Sequence, residues 1–346
     1  MRKKYLGIEI GNLTMKLAVI EAGMIRHFFV EKIPEGIIEH DEIVQWDEMS
    51  DFIKSVCKKY SIRCKQVAMI VPEKSIYIRR LTMPIMTVQQ LKINLPFEFH
   101  DFVSGEKEEY FYDYIVLNDL EDVESQEKMD MEEGEEGEEE TKELELLACA
   151  ASKDFMQNYK DMFRKCGLKL VMALPEIAAY QSMIFRWRTY DKEKDYAILD
   201  LGHEHIHLYL FLNGKYETGR SIEPGLIEIT SKISQFLEID EKEAEERKQT
   251  NKNGILNSEF CQEIYGDITL EIMRAINFFT FNYQKNTLDT LYYCGGGAKI
   301  QPLIDALKNT IPLQIRPFSD LFQGEEAKFV LQGAPVVGIR YNKEEE

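Results

Sequence analysis

Two stretches of the chain each contain two apolar, strand-like runs separated by a polar turn, a pattern that predicts β-hairpins. At 5–20 the sequence reads YLGIEIGNLTMKLAVI, which predicts two strands joined by a polar turn at Gly11 and Asn12. At 196–212, about 190 residues later, YAILDLGHEHIHLYLFL repeats this plan, with an apolar strand that ends in acid-x-Gly, turns and returns. This internal repeat predicts a duplicated domain.

Apolar residues recur at helical spacing elsewhere in the chain. Four amphipathic helices are predicted, at 46–60, 153–166, 226–237 and 259–283. Near the end of the chain, an apolar strand at 288–294 is followed by three glycines and a helical stretch at 300–308. Strands that alternate with helices favour an α/β fold in which helices pack on sheets.

The composition is typical of a globular protein without a membrane-spanning segment. Of the 346 residues, 44% are hydrophobic and 30% are charged, and no run reaches the roughly 18 apolar residues of a membrane helix. The apolar stretch behind the basic start is broken at once by Glu9, Gly11 and Asn12, so we predict no export signal. The six cysteines form no C-x-x-C pair, and we expect reduced thiols in a cytosolic protein.

Acidic residues dominate the charge of the chain, whose formal net charge is −19. The segment 120–141 contains twelve acids, one lysine and few apolar residues, which predicts a disordered loop. Such a loop is either a lure for a basic partner or, as we favour, a solvated insertion between two strands. An acidic body without a basic stripe argues against nucleic acid as a partner.

The first hairpin carries a pattern that can surround phosphate groups, Glu9-x-Gly11-x4-Lys16. Glycine lets backbone N–H groups approach phosphate oxygens, and lysine adds a positive charge. The second hairpin offers Asp200 and Gly202 from the other half of the chain. Two carboxylates that face each other can hold Mg²⁺ through water, so Glu9 and Asp200 are the candidate metal and catalytic residues.

Two further elements complete a candidate nucleotide site. The glycines at 295–297 stand at a strand-to-helix junction, where backbone without side chains can lie against a base or ribose, or can simply form a turn. Glu245 and Lys248 share one helix face, as nucleotide contacts or as an ordinary surface ion pair. Each element alone has a structural explanation, but their occurrence together in this order favours a nucleotide site.

In this order, the motifs resemble those of the actin-like ATPase superfamily. Within it, the chain resembles the PilM family of type IV pilus assembly proteins, which are relatives of the cell-division protein FtsA. The most specific stretches are GLIEITSKISQFLEIDEKEAEERK and LEIMRAINFFTFNYQKNTLDTLYYCGGGAKI. The resemblance implies an α/β actin-like ATPase fold of two RNase H-like lobes, with a small α+β subdomain inserted in the first lobe.

The resemblance also implies a domain organisation. The first lobe is expected at 1–190, with the inserted subdomain at about 33–166 and the acidic loop inside it. The second lobe is expected at 191–325, with a helical subdomain at about 225–285. The last stretch, 326–346, would return to the first lobe and end in a frayed tail.

ATP and Mg²⁺ in the cleft between the lobes are further implications of the resemblance. The positions that match the family's nucleotide contacts are Gly11, Asn12, Leu13 and Lys16 for the phosphates, Asp200 and Gly202 facing them, Glu245 and Lys248 for the ribose and base, and Gly295, Gly296 and Gly297 behind. In this family, the cleft beside the inserted subdomain receives the cytosolic N-terminal tail of PilN, a membrane-anchored partner. This implies a cytoplasmic scaffold that is peripheral to the membrane and joins other pilus-assembly proteins.

Both hairpins depart from the family pattern. The first usually carries Asp, whereas here Glu9 is one methylene longer, and the second has His203, His205 and His207 where hydroxyl residues are usual. Because phosphoryl transfer depends on the placement of metal and water, we expect nucleotide binding with slow or absent hydrolysis. A less favoured hypothesis is that three imidazoles on one strand face bind zinc.

Two other functions stay open at this level. A sugar or acid kinase of the same superfamily needs a catalytic base beside an acceptor pocket, and we find no aspartate in a matching context. An FtsA-like filament former usually ends in an amphipathic membrane-binding helix, whereas 340–346 is polar and acidic. An ATP-binding scaffold for a pilus or secretion machine is therefore favoured.

Overall fold

A computed structural model describes residues 4–39, 41–118, 143–186 and 193–342. Over these ranges, the strands form two five-stranded sheets, one three-stranded sheet and one two-stranded hairpin. The acidic segment 120–141 and the tail 343–346, both predicted to be disordered, lie outside the described residues. Among the helices of the described ranges, none is long and apolar enough to cross a membrane.

Helices and strands alternate along the described chain. The strands are β1 (Lys4–Ile10), β2 (Thr14–Glu21), β3 (Met24–Lys32), β4 (Ile38–Glu39), β5 (Glu42–Ile43), β6 (Gln66–Val71), β7 (Ile76–Pro84), β8 (Tyr110–Val116), β9 (Glu143–Ser152), β10 (Lys169–Pro175), β11 (Tyr196–Leu201), β12 (Ile206–Leu212), β13 (Lys215–Ile222), β14 (Thr290–Cys294) and β15 (Gln314–Pro317). The helices are α1 (Trp46–Lys59), α2 (Val88–Glu98), α3 (Lys153–Lys165), α4 (Glu176–Arg186), α5 (Ile227–Leu237), α6 (Glu241–Thr250), α7 (Glu259–Asn282), α8 (Gln301–Thr310) and α9 (Glu325–Gly338). The four predicted amphipathic helices are confirmed as α1, α3, α5 and α7.

The two five-stranded sheets share one topology, which confirms the predicted repeat. The first has the strand order β10-β6-β1-β2-β3, and the second has the order β15-β14-β11-β12-β13. In each sheet, three consecutive strands form an antiparallel meander, and two later strands join by parallel pairing. Parallel pairing requires crossover connections, which the helices supply, as expected for the α/β class.

Helices cover both faces of the first sheet. On one face, α1 and α3 contribute Ile53 and Phe163 to the core, and on the other, α4 and α9 contribute Ala179 and Val336. In the second sheet, every residue of β11 is buried. A strand that is covered on both faces is expected to be an apolar run, which explains the sequence YAILDL.

A smaller sheet with the strand order β7-β9-β8 shares no strand pairing with these two sheets in the described ranges. Helix α2 packs on it through Leu91 and Leu95. The three-stranded sheet spans 76–152. In contrast, β6 belongs to the first five-stranded sheet, on which α1 and α3 pack. The range of about 33–166 given above for the insertion stays a prediction, and the three-stranded sheet lies inside it. The other domain boundaries stay a prediction.

The last helix, α9, contacts both large sheets. It packs on β1 and β2 of the first sheet and on β14 of the second. Gly7 in β1 allows a close approach, since a Cβ there would lie 3.2 Å from Val336. The helix is interrupted at Gly333 (φ −160°, ψ 61°), two residues before Pro335. This helix therefore joins the two lobes beside the cleft between them.

Candidate functional site

The two acid-x-Gly hairpins face each other across one cleft with a volume of about 1210 Å³. Most of the predicted site residues line it, namely Glu9, Gly11, Asn12, Leu13, Lys16, Asp200, Gly202, Glu245, Lys248 and Gly296. Gly295 and Gly297 lie behind this lining, against Leu201. The structure thus brings together residues that are far apart in the chain, while their ligand contacts stay a prediction.

The β1–β2 hairpin places a carboxylate and an ammonium group at its open end. Glu9 and Lys16 are cross-strand partners, and their side chains form an ion pair. The Gly11 N–H closes the turn by donating to the Thr14 carbonyl over 3.1 Å. The second carboxylate oxygen of Glu9, Oε2, is buried and has no hydrogen-bond partner of normal geometry among the described residues, although the Val336 backbone N–H attracts the carboxylate. It is therefore an acceptor available to a ligand.

Burial is the largest influence on the protonation of this ion pair. Burial raises the pKa of Glu9. Attraction by Lys16 lowers this pKa, whereas repulsion from Asp200 raises it further. For the lysine, burial disfavours the charged form, but the carboxylates of Glu9, Asp200 and Glu176 outweigh this effect and raise its pKa. The ammonium group therefore stays charged at neutral pH.

Asp200 lies near the end of β11 in a buried position. The Tyr180 hydroxyl of α4 donates to Asp200 Oδ2 over 2.6 Å. On the other side of the carboxylate, Gly295 has a φ of +90°, and a Cβ at this position would collide with Asp200 Oδ1. The first glycine of the triple run is therefore required for β14 to end beside this carboxylate.

Packing also explains two of the other predicted glycines. A Cβ at Gly202 would collide with the carbonyl of His205 across the second hairpin turn. A Cβ at Gly297 would lie 2.8 Å from the Cβ of Leu201. At Gly296, in contrast, a Cβ would have no neighbour nearer than 4.0 Å. Its bare backbone therefore forms part of the cleft wall.

Two carboxylates that the sequence analysis did not include also line the cleft, those of Glu73 and Glu176. Glu73 follows β6 and Glu176 begins α4 after β10, so both stand at the carboxyl ends of neighbouring parallel strands. The Tyr209 hydroxyl oxygen lies 3.0 Å from Glu73 and 3.1 Å from Glu176. The sequence signal was the repeated Pro-Glu in VPE at 71–73 and LPE at 174–176. Carboxyl ends of such strands meet at one sheet edge, where ligands bind.

The carboxylates at this end of the cleft repel one another. Burial raises the pKa of Glu176 well above its ordinary value, and repulsion from Asp200 and Glu73 adds to the effect. Burial also raises the pKa of Glu73, although His207, 3.9 Å away, opposes it. The site therefore concentrates negative charge that a bound cation would offset.

Replacing Glu176 with glutamine is expected to stabilise the protein at neutral pH by about 1 kcal/mol, because the neutral amide no longer repels the nearby carboxylates. Because the pKa of Glu176 is raised in the folded state, its ionised carboxylate lowers the stability at pH values above that pKa. This loss of stability disappears as the pH falls through the raised pKa toward 4.5, the ordinary value of the group. The gap between variant and wild type should therefore close on acidification. Urea denaturation at neutral and mildly acidic pH measures this. The exposed Glu263→Gln is the control, and a gap that is independent of pH would contradict the raised pKa.

On α6, Glu245 and Lys248 form an ion pair of 2.6 Å with side chains only 9% and 7% exposed. The Thr230 hydroxyl donates to Glu245 over 2.5 Å, and Lys248 donates to the Thr230 oxygen over 2.7 Å. A third contact joins Lys248 to the Leu226 carbonyl over 3.1 Å. The alternative of an exposed surface pair is therefore wrong, because a network fixes both side chains at the cleft wall.

The three histidines of the second hairpin are not arranged as the zinc hypothesis requires. Strand β12 begins at Ile206, so His203 and His205 lie in the turn, while His207 lies on the strand. The idea of three imidazoles on one strand face is therefore wrong. The described ranges contain no group of three His, Cys, Asp or Glu placed to hold a metal ion. Burial, helped by the charge of Lys248, lowers the pKa of His203 to about 4, so this imidazole is neutral at neutral pH.

Solved structures with the same architecture define the class of this fold. A structure described as a PilM-PilN type IV pilus biogenesis complex superposes with a TM-score of 0.78 at 18% identity, over 98% of both chains. MreB 5 of Spiroplasma citri bound to AMPPNP gives 0.51 at 12% identity, over 98% of this chain and 95% of that one. A Bacteroides thetaiotaomicron protein with an actin-like ATPase fold and unknown function gives 0.50 at 10% identity, over 99% and 96%. This chain has an actin-like ATPase fold.

The family follows from the sequence itself. The profile of the family described as type IV pilus assembly protein PilM matches residues 7–328. The chain therefore belongs to the PilM family, as the motifs predicted. A search of curated proteins finds no match.

Proposed function

We propose that this chain is an ATP-binding scaffold of the pilus assembly machinery, held at the cytosolic face of the membrane by the tail of a PilN-like membrane protein. The observation that carries the proposal is the meeting of both acid-x-Gly hairpins, the triple glycine and the Glu245–Lys248 pair at one cleft. Membership of the family supports the scaffold role over the kinase and filament alternatives. The solved PilM-PilN complex supports the choice of partner.

The residues at the hairpin end of the cleft fit phosphates with Mg²⁺. Lys16 and the backbone of the turn at 11–13 would hold the phosphate oxygens, with Gly202 opposite them. Glu9 and Asp200 would hold Mg²⁺ through water, and the unpaired buried oxygen of Glu9 fits such a contact. Bound Mg²⁺ would supply neutralisation of phosphate charge.

The other end of the cleft would take the ribose and base. Glu245 and Lys248 are fixed by hydrogen bonds before a ligand arrives, which reduces the entropy lost on binding. Gly296 presents bare backbone to the cleft, and the tight packing of Gly295 and Gly297 holds that backbone in place.

Titration calorimetry with Mg²⁺-ATP tests nucleotide binding, together with mass spectrometry of the purified protein for bound adenine nucleotide. Heat of binding that depends on Mg²⁺ would support the proposal. The absence of both binding heat and bound nucleotide would refute the proposal.

Hydrolysis is expected to be slow. Glu9 is engaged by Lys16 and is one methylene longer than the aspartate usual in the family, which alters the placement of metal and water on which phosphoryl transfer depends. Phosphate release with Mg²⁺-ATP measures the rate. A turnover of about one per second, at the low end of typical enzymes, would contradict this part of the proposal.

A surface beside the inserted sheet fits the tail of a PilN-like protein. Phe111 of β8 is 44% exposed, and the ammonium groups of Lys160 and Lys153 of α3 lie 4.8 Å and 5.6 Å from its ring centre. An aromatic ring flanked by cations can bind a peptide that combines apolar and acidic side chains. The tail would thus bind where the insertion meets the first lobe.

Replacing Phe111 with serine is expected to weaken the binding of a fluorescent PilN-like tail peptide about tenfold, because an aromatic anchor is lost. Fluorescence polarisation with and without ATP measures this. Phe281→Ser is the control, since Phe281 is 77% exposed on the distant helix α7. Equal losses in both variants would contradict this placement. Identical peptide affinity with and without ATP would remove a switching role for the nucleotide.

A further inference from the structure

A small hairpin of the first lobe reaches over the cleft. Strands β4 and β5 pair through Ile38 with Ile43 and Glu39 with Glu42, and Asp41 lies in the tip between them. Ile38, Asp41 and Ile43 line the cleft, whereas Glu39 and Glu42 are exposed outside that lining. We call β4, β5 and Asp41 the flap.

The tip of the flap contacts the turns of both acid-x-Gly hairpins. Oδ1 of Asp41 accepts a hydrogen bond from the side-chain amide of Asn12, in the first turn. Oδ2 of Asp41 lies 2.6 Å from Nε2 of His205, in the second turn. The other ring nitrogen of His205 lies 3.2 Å from a carboxylate oxygen of Glu223. One carboxylate therefore connects the turns of the two lobes.

Asp41 is negatively charged in this arrangement. Burial works against the charge, but the hydrogen bonds from Asn12 and His205 outweigh it and lower the pKa of Asp41. Lys74, which also lines the cleft, adds attraction. An amide, an imidazole and an ammonium group thus face one anion, and these are groups that bind phosphate oxygens.

We propose that Asp41 is a built-in competitor of the nucleotide phosphates, which occupies Asn12 and His205 until a nucleotide binds and displaces it. The inference rests on the proposed nucleotide binding and adds a residue that sets its affinity. A carboxylate and a phosphate cannot share these donors, because like charges at short distance repel. Only molecules in which Asp41 has left Asn12 and His205 can bind the phosphates. The apparent affinity for nucleotide is therefore the intrinsic affinity multiplied by the fraction of such molecules.

Displacement of Asp41 would also loosen the connection between the lobes at the cleft mouth. The ion pair of Lys242 with Glu35, 3.3 Å apart, joins the same two lobes but is exposed on both sides and screened by solvent. The flap contact is more buried, since the side chains of Asp41 and His205 are 19% and 25% exposed. Nucleotide binding and the release of this contact are therefore coupled.

Replacing Asp41 with glycine tests the competition. Glycine adopts the φ of +67° at this position without strain and removes the carboxylate. Titration calorimetry is expected to show Mg²⁺-ATP binding about tenfold more tightly to Asp41→Gly than to wild type. Glu42→Ala removes the same charge from the adjacent exposed position and should leave the affinity unchanged.

The outcomes separate this inference from the proposed function. If wild type binds ATP and Asp41→Gly binds it equally or more weakly, the competition is overturned and the nucleotide site stands. A gain shared by Glu42→Ala would assign the effect to general charge and also overturn it. Absence of ATP binding in all three proteins would refute the nucleotide site and the inference with it.

Amide hydrogen exchange gives a second readout that does not depend on affinity. The Val44 N–H donates to the Ile37 carbonyl at the base of the flap, over 2.9 Å. Adding Mg²⁺-ATP to wild type should speed exchange at this amide and in the flap, because the tip is released. Slower exchange there would mean that the flap closes on the nucleotide, and the competition would be wrong.

Discussion

Replacing Gly295 with alanine is expected to lower the free energy of unfolding by about 3 kcal/mol. A side chain at its φ of +90° is strained by about 1–3 kcal/mol. The added Cβ would collide with Asp200 Oδ1 and lie 2.8 Å and 2.9 Å from the backbone N and O of Leu201. These backbone atoms belong to the central strand β11 and cannot yield, and overpacking costs about 1–3 kcal/mol. Urea denaturation followed by circular dichroism measures the change.

Gly296 provides a matched control in the next position. A Cβ there would lie no nearer than 4.0 Å to another atom, so Gly296→Ala should change stability by at most about 0.5 kcal/mol. If the two alanine variants were equally destabilised, close approach to Asp200 would not be the reason for the glycine run.

Replacing Lys16 with methionine is expected to weaken Mg²⁺-ATP binding about 100-fold. Its ammonium group stands at the open end of the first hairpin, where we propose that phosphates bind, and stays charged because the surrounding carboxylates raise its pKa. Hydrogen bonds to charged groups contribute about 1.5–3 kcal/mol, and 1.4 kcal/mol is a tenfold change in affinity. Titration calorimetry of the variant and wild type measures the difference.

The single variant leaves Glu9 buried without its partner, which by itself destabilises the fold. We therefore combine it with Glu9→Gln, because the double variant holds no unpaired charge at this position and should be the more stable of the two. It should bind ATP more weakly than Glu9→Gln alone, which loses only the proposed Mg²⁺ contact. Lys32→Met, at the exposed end of β3, should bind like wild type. Near-normal affinity in the double variant would show that Lys16 is not a phosphate contact.

The fold could be predicted because its strongest signals are local. In the first acid-x-Gly hairpin, apolar runs define the strands and a short turn defines their register, so Glu9 opposite Lys16 follows from the sequence. The glycines at 295–297 were also correctly placed at a strand-to-helix junction. However, their spacing does not reveal that Gly295 is needed for the contact with Asp200. That reason depends on parallel pairing between β11 and β14, which are far apart in the chain.

The sequence predictions that were wrong or missing concern residues whose role depends on tertiary contacts. The alternation of His203, His205 and His207 has the period of a strand, but the turn extends to His205, whose carbonyl packs on Gly202. Asp41 has no sequence signal, since its importance comes from contacts with two distant turns. The paired Pro-Glu signals of the first sheet could have been found, because they need only the rule that parallel strands end at one edge.

The interruption of α9 has a mechanical consequence for the two lobes. Before Gly333, the Leu331 carbonyl accepts a hydrogen bond from the Gly295 N–H of the second lobe over 3.0 Å, and after it, Val336 packs on Gly7 of the first lobe. A Cβ at Gly333 would lie 3.0 Å from both Lys16 and Phe28, so the interruption packs on the cleft lysine. The half before Gly333 also holds to the first lobe, because Phe329 stacks on Phe28 of β3 with 5.1 Å between the ring centres. A rotation of one lobe against the other would therefore strain these contacts, and a pair of probes on the two ends of α9 would record such a rotation from outside the cleft.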